Sequence, residues 1–296
     1  MTTAAPATSG TPTPPTATAP TAKGIGPLLR SWRERRRISQ LELALRADSS
    51  ARHISFVETG RSRPSEDLIL RLADHLDVPV RERNALLLAA GYAPRFPETP
   101  LDDPALSGLR AGLDQLLRGY EPYPAVVVDA TYQVVAANRG IAMLLEGVPE
   151  WLLAPPLNSM RLTLHPDGLA PRIRNLPEWR GHLLDQMRRQ IALDRSDALR
   201  ALYEEVAAYP FTDGPDTSAT PDGAADGPDG TDPQVTAPPL PFALPLRIEH
   251  DGQVLSFVSS ISTFNTPMDV TVAELAIETF VPADPATVTY LRALGT

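Results

Sequence analysis

Nine arginines fall between residues 29 and 63, against four acids, Glu34, Glu42, Asp48 and Glu58. A guanidinium keeps its charge at any working pH and offers a planar fork of donors, which suits phosphate oxygens and the edge of guanine. This basic stretch sits in an acidic chain of 296 residues with a formal net charge of -9, and residues 101–296 hold 13 basic and 26 acidic side chains. A basic head on an acidic body points to a polyanion partner for the head alone. Other chemistries find little material. There is no cysteine, so there is no disulfide, thiol nucleophile or Cys-based zinc site. The five histidines (53, 75, 165, 182 and 250) are scattered without metal-ligand spacing, and neither a glycine-rich phosphate loop nor G-x-S-x-G occurs. No catalytic residue, metal ligand or cofactor is assigned, and the expectation is a protein that is not an enzyme.

Residues 1–22 are uncharged Thr/Ala/Pro sequence that cannot bury enough apolar surface to offset chain entropy, and they read as a disordered tail. They lack the basic start and apolar middle of a secretory signal. No apolar run is long enough to span a bilayer, so the expectation is a cytoplasmic protein without membrane contact. Helical periodicity in short bursts fills 24–91. Four prolines in 92–104 read as a linker. Residues 105–296 read as one further domain, interrupted by a flexible insertion at 210–241 with eight prolines, six aspartates and no basic residue.

Five short helices are expected in the head. The first, over about 25–36, has Leu28, Leu29 and Trp32 as its stripe. The second opens at "SQLE", where Ser39 and Glu42 have capping-box spacing, and Leu41, Ala44 and Leu45 are expected inside. After a turn at Asp48-Ser49 the third opens with Ser50 as N-cap, points Ile54 and Val57 inward, and closes at Gly60. The fourth follows Pro64-Ser65 with Leu68, Ile69, Leu72 and Leu76 inside, and the fifth runs from about Val80 to Ala90. Two short helices joined by a tight turn match a helix-turn-helix. The start of its second helix then faces base edges: Ser50 and Ala51 are small enough for close approach, and Arg52 can pair bidentately with guanine. Gln40, Arg61 and Arg63 are placed for phosphates. The alternative is a solvated basic face on an ordinary helical domain.

The signals "ISQLELA", "HISFVETGRSRPS" and "LRLADHLDV" resemble the phage-repressor, or xenobiotic-response-element, family of five-helix DNA-binding domains over about residues 26–90. The resemblance implies duplex DNA as partner and a backbone contact from Gln40. It puts Ser50, Ala51, Arg52, Ser55 and Phe56 on the DNA-facing side, and it makes Glu58 structural. Asp48 stands where that family usually has Gly, and Asp tolerates the left-handed conformation.

In the body, 124–145 reads strand, turn, strand, then a helix capped by Asn138 that carries Ile141, Met143, Leu144 and Leu145. Residues 246–264 read as a hairpin around Asp251-Gly252. Residues 270–284 read as a further strand followed by a short helix. Antiparallel strands with helices packed on them make an α+β domain that can enclose an apolar cavity, and the pattern looks like a PAS-type sensor. The expected fold is therefore multi-domain: an all-α five-helix repressor-type helix-turn-helix domain, then an α+β PAS-like domain with an antiparallel sheet.

"NSMRLTLHPDGLAPRIRNLPEWRGHLLDQMRRQ" (158–190) and "STFNTPMDVTVAELAIETFVPAD" (262–284) resemble the MmyB-like regulator family, which joins such a head to a PAS-like ligand-binding domain. The resemblance implies a transcription regulator that senses a small apolar ligand, such as a fatty acid. Composition and spacing do not show that ligand. His165 and Arg172 flank the "HPDG" turn and can meet a carboxylate head group; the alternative for His165 is a turn histidine bonded to backbone. Trp179, Leu144 and Leu145 are cavity wall or ordinary core. Thr263, Asn265 and Thr266 of "TFNTP" can orient a polar head group, as turn hydrogen bonding also explains, and Asn138 is counted as a ligand-binding candidate besides its place as a cap. Glu274 and Glu278 share a face if 270–284 is all strand, as an acid–base pair or as solvated sheet. A homodimer is expected, because one such head buries little surface on DNA. The rival reading makes the body a protein-interaction and dimerisation module without a small molecule.

Overall fold

The computed structural model describes residues 24–193, 196–210 and 243–294. The tail expected at 1–22 and, apart from Pro210, the insertion expected at 210–241 lie outside the described residues. The described residues form two compact units, one of 24–78 and 83–95, the other of 79–82 and 96 onward.

The head holds α1 (Ile25–Arg35), α2 (Gln40–Arg46), α3 (Ala51–Glu58), α4 (Glu66–His75) and α5 (Val80–Ala89). Three of them start on a serine whose hydroxyl takes up a free backbone N–H. Ser39 accepts from Glu42, Ser50 from His53 and Ser65 from Leu68, at 3.1, 3.1 and 3.3 Å. The capping box at α2 is only half formed, because the Glu42 carboxylate pairs with Arg46 at 2.5 Å. Asp48 takes the left-handed conformation in the α2–α3 turn (φ 48°), and Gly60 does so after α3 (φ 73°).

Leu29, Trp32, Leu43, Ile54, Leu72 and Leu87 are almost fully buried in the core of the head. The expected buried face of α2 needs correction. Leu41 and Leu45 are exposed, and Leu43 joins Ala44 inside. In the seven-residue helix QLELALR the leucines recur every second position, so periodicity alone leaves the phase open. Packing against α3 decides it. Gly26 marks where α1 meets α3: a Cβ there would stand 2.4 Å from the Glu58 carbonyl oxygen.

The body has the sheet order β2-β1-β5-β4-β3, with every neighbouring pair antiparallel. The strands are β1 (Ala125–Val128), β2 (Val134–Ala137), β3 (Leu246–His250), β4 (Gln253–Thr263) and β5 (Ala276–Pro282). The helices are α6 (Ser107–Tyr120), α7 (Arg139–Leu144), α8 (Glu150–Leu153), α9 (Ser159–Leu164), α10 (Leu176–Leu193), α11 (Asp197–Ala207), α12 (Val270–Ala273) and α13 (Pro285–Leu294). β1 is buried throughout because it faces two cores in alternation. Ala125 and Val127 pack with Leu113 and Leu117 of α6; Val126 and Val128 pack on the opposite face, in the cluster that includes Leu183 and Met187 of α10.

The hairpin at Asp251-Gly252 has both central residues at positive φ (47° and 75°), as a two-residue turn of this kind requires. Two expectations change. Residues 270–273 are helix rather than strand, because Asp269 accepts from the backbone of Thr271 and Val272 and nucleates a turn that the β-branched sequence does not advertise. Residues 96–104, read as linker, lie on the body. Phe96 is buried, the Pro97 carbonyl accepts from Val270 at 2.8 Å, and the Thr99 hydroxyl donates to Asp269 at 2.6 Å.

A candidate DNA-reading helix and an apolar cavity

On the head, the N-terminal half of α3 is open to solvent. Arg52 is exposed, with its guanidinium 5.2 Å from the Phe56 ring, so Phe56 serves as a platform beside it and is only half buried. Ser50 is exposed; Ala51 and Ser55 are half buried on the same short helix. Among the described residues Arg37, Arg52 and Arg61 have side chains with no hydrogen bond or ion pair, which leaves their donors free for an external partner. The other arginines of the stretch are engaged. Arg30 pairs with Glu34, Arg46 with Glu42, and Arg36 donates to the carbonyls of Leu76 and Asp77. Arg63, expected at a phosphate, donates to the Gly91 carbonyl at 3.1 Å and lies 4.7 Å from the Tyr92 ring. It braces the end of α5.

Beneath this face lies a buried polar knot. The Glu58 carboxylate accepts from Arg33 Nε at 2.6 Å, from Arg33 Nη2 at 3.0 Å and from Gln40 Nε2 at 2.8 Å. Its side chain is 2% exposed and that of Arg33 is 12% exposed. Glu58 is therefore a structural residue. By taking one N–H of Gln40 it fixes that amide at the start of α2 and leaves its second N–H without a partner among the described residues.

In the body, a partly enclosed cavity of about 110 Å³ lies between the sheet and the helices. Val126, Val134, Leu246, Ile248 and Phe280 line it from the strands. Ile141, Leu144 and Leu145 close it from α7 and the residue after it, and Met160, Leu162, Trp179 and Leu183 from α9 and α10. Three polar side chains share the wall: Ser159, Thr163 and Glu278. Glu278 accepts from the Ser259 hydroxyl at 2.6 Å, and burial raises its carboxyl above the ordinary carboxylate range.

The sequence-derived ligand residues separate on this geometry. Leu144, Leu145 and Trp179 are on the wall. Asn138, His165, Arg172 and Thr263 are not. Asn138 spends its amide on the fold, accepting from the N–H groups of Ala125 and Ile141 and donating to the carbonyls of Leu117 and Tyr123. His165 accepts from the Asp167 N–H at 3.0 Å and stands edge-on to Trp151 and Tyr209. Arg172 donates to the Leu144 carbonyl, and burial lowers its pKa. Thr263 is exposed at the end of β4. The pairing of Glu274 with Glu278 dissolves because Glu274 ends α12 and only Glu278 is in the strand. Expected from the sequence as an acid–base partner or a solvated residue, Glu278 stands on the cavity wall.

A wider groove of about 750 Å³ elsewhere on the body is lined by Arg139, Arg292, Glu121, Glu146 and the buried His250, whose Nδ1 bonds the Tyr290 hydroxyl at 2.6 Å. Its mixed charges favour no ligand class.

Comparison with known proteins adds the following. Residues 109–294 match the family described as the MmyB-like transcription regulator ligand binding domain. Residues 25–86 match a helix-turn-helix domain. No curated protein matches the chain. Among solved structures, an RNA-binding Light-Oxygen-Voltage receptor aligns at 11% identity over 94% of this chain and 64% of that one, with a TM-score of 0.27. The chain thus spans less than two thirds of that receptor, and the likeness is too low to support a fold assignment.

Proposed function

The chain belongs to the MmyB-like transcription regulators, and from that premise we propose that it reads duplex DNA through α3 and that a small apolar molecule in the body cavity sets how tightly it does so. One observation carries the reading: an apolar cavity lies inside the ligand-binding domain of a chain whose helix-turn-helix leaves Arg52 and Arg61 unspent. On this reading Arg52, with Ser50, Ala51, Ser55 and Phe56 around it, reads base edges, and Gln40 and Arg61 hold phosphates. Two copies acting together place two heads on half-sites about one helical turn apart, which compensates for the small surface one head buries.

A void of about 110 Å³ leaves roughly 2.6 kcal/mol of packing unrealised, at about 24 cal/mol per Å³. That is an upper bound for a closed void, and a partly enclosed one leaves an occupant less to recover; the apolar lining supports a small-molecule site. The resemblance to the family suggested a fatty acid. No basic side chain is among the residues that line this cavity, so a fatty acid enters tail first and leaves its carboxylate at the mouth.

The test is selection of duplexes from a randomised pool by the full chain at physiological salt. A defined motif that weakens at one position in Arg52→Ala supports the reading. Recovery of duplexes with no shared sequence contradicts it.

A further inference from the structure

We infer that the cavity is built for a ligand whose apolar body carries a neutral hydroxyl, and that Glu278 is the side chain that recognises it. The inference rests on the reading of the body as a small-molecule domain and names the chemistry of its ligand. Glu278 sits on β5 opposite Val126 of β1, on the face of the sheet that the apolar cavity occupies. One carboxyl oxygen accepts from Ser259 at 2.6 Å; the other has no hydrogen bond among the described residues. An acid on an apolar wall is costly unless something pairs with it. No cation does so here: the perturbations on this carboxyl are burial and the Ser259 hydroxyl. Thr163 adds a second hydroxyl to the same wall, and its side chain also has no hydrogen bond among the described residues.

Such a wall discriminates by charge and by donor capacity. A carboxylate ligand would bring two acids together in a low-dielectric space, and one of them would have to take up a proton. A purely apolar ligand fills the void but leaves the Glu278 oxygen unpaired. An alcohol or phenol fills the void and donates to that oxygen, and it also accepts from the carboxyl when that is protonated or from Thr163. The size limit is set by the volume, about 110 Å³, somewhat below the roughly 150 Å³ of an apolar cavity that takes one benzene. One small ring or a short branched chain is therefore the upper limit, and a ring uses the open side of the cavity or a small outward shift of its walls.

The experiment titrates the full chain with phenol, toluene and benzoate by calorimetry and by thermal shift. Phenol and toluene have nearly the same shape, so their ratio reports the hydroxyl. Phenol is expected to bind at least as tightly as toluene although water holds it better, and benzoate is expected not to bind. Glu278→Leu is expected to shift the phenol-to-toluene ratio at least about tenfold toward toluene, the worth of one hydrogen bond. Glu278→Gln keeps an acceptor and is expected to hold the ratio within a few-fold. Benzoate binding as tightly as phenol, or a ratio unchanged in Glu278→Leu while both probes still bind, overturns the inference and leaves the cavity reading standing. Failure of toluene and phenol alike to bind the wild-type chain overturns the cavity reading, and the inference with it.

Discussion

Replacing Glu58 with Gln should unfold the head at temperatures where the wild-type chain is intact. The change keeps the shape and removes one charge from a site where the carboxylate is 2% and its arginine partner 12% exposed. Arg33 then stays buried, with the Ile38 carbonyl at 2.9 Å, the new amide oxygen and the Glu34 carboxylate at 4.0 Å as its acceptors, and an amide N–H₂ sits among its donors. Breaking a buried pair from one side costs about 3–5 kcal/mol. A domain of this size holds only about 0.05–0.15 kcal/mol per residue, roughly 3–10 kcal/mol for the whole head. At about 4–8 °C per kcal/mol the head transition should fall by roughly 12 °C or more. Differential scanning calorimetry of the full chain can follow it. Pairing Glu58→Leu with Arg33→Met should recover much of the loss, because no uncompensated charge remains. A loss of under about 1 kcal/mol for Glu58→Gln, the worth of a surface pair, would refute the argument that burial makes this knot structural.

Three further outcomes follow from the same geometry. Arg52→Ala should cost about 1–3 kcal/mol at one base position and relax the preference there, whereas Arg61→Ala should weaken all duplexes alike and flatten the salt dependence, both read by anisotropy over a salt series. Gly26→Ala should destabilise the head measurably in chemical denaturation, since its Cβ would meet the Glu58 carbonyl at 2.4 Å and the two helices must part; an unchanged midpoint would mean that they are not packed so closely. Titration supplies the third. The Glu278 carboxyl is raised by burial, so the folded state binds its proton more tightly than the unfolded chain. Its contribution is fully present below the ordinary carboxylate pKa and is lost as pH rises through the raised value, by no more than about 1.4 kcal/mol per pH unit. Glu205 has the opposite sign: its hydrogen bond from Arg161 lowers its pKa, and its contribution is lost as pH falls. Glu278→Gln should remove the first slope from a stability-against-pH curve and leave the second.

The head was largely legible because its signals are local. Ser39, Ser50 and Ser65 stand three residues before the N–H groups they cap, and Asp48 and Gly60 mark the left-handed positions. What failed there was phase: Leu41 and Leu45 repeat as regularly as Leu43, and contact with another helix chose between them. In the body, Asp251-Gly252 announced its hairpin, whereas Val270-Thr271-Val272 read as strand although the Asp269 cap makes it helix. The cavity was not legible. A void is an absence of atoms among side chains from separate segments, and its walls look like core in sequence. Glu278 became interpretable only once β4 brought Ser259 beside it and the neighbouring strands supplied an apolar surround.

The proposed function requires the cavity and α3 to communicate. The direct measurement is the affinity of the full chain for its selected duplex, without probe and with saturating phenol, at one fixed salt concentration. Coupling of about 1–3 kcal/mol predicts a change of roughly 5- to 150-fold, and by reciprocity the duplex should change the affinity for phenol by the same factor. Equal duplex affinities in the two conditions, with calorimetry showing phenol bound, would contradict it.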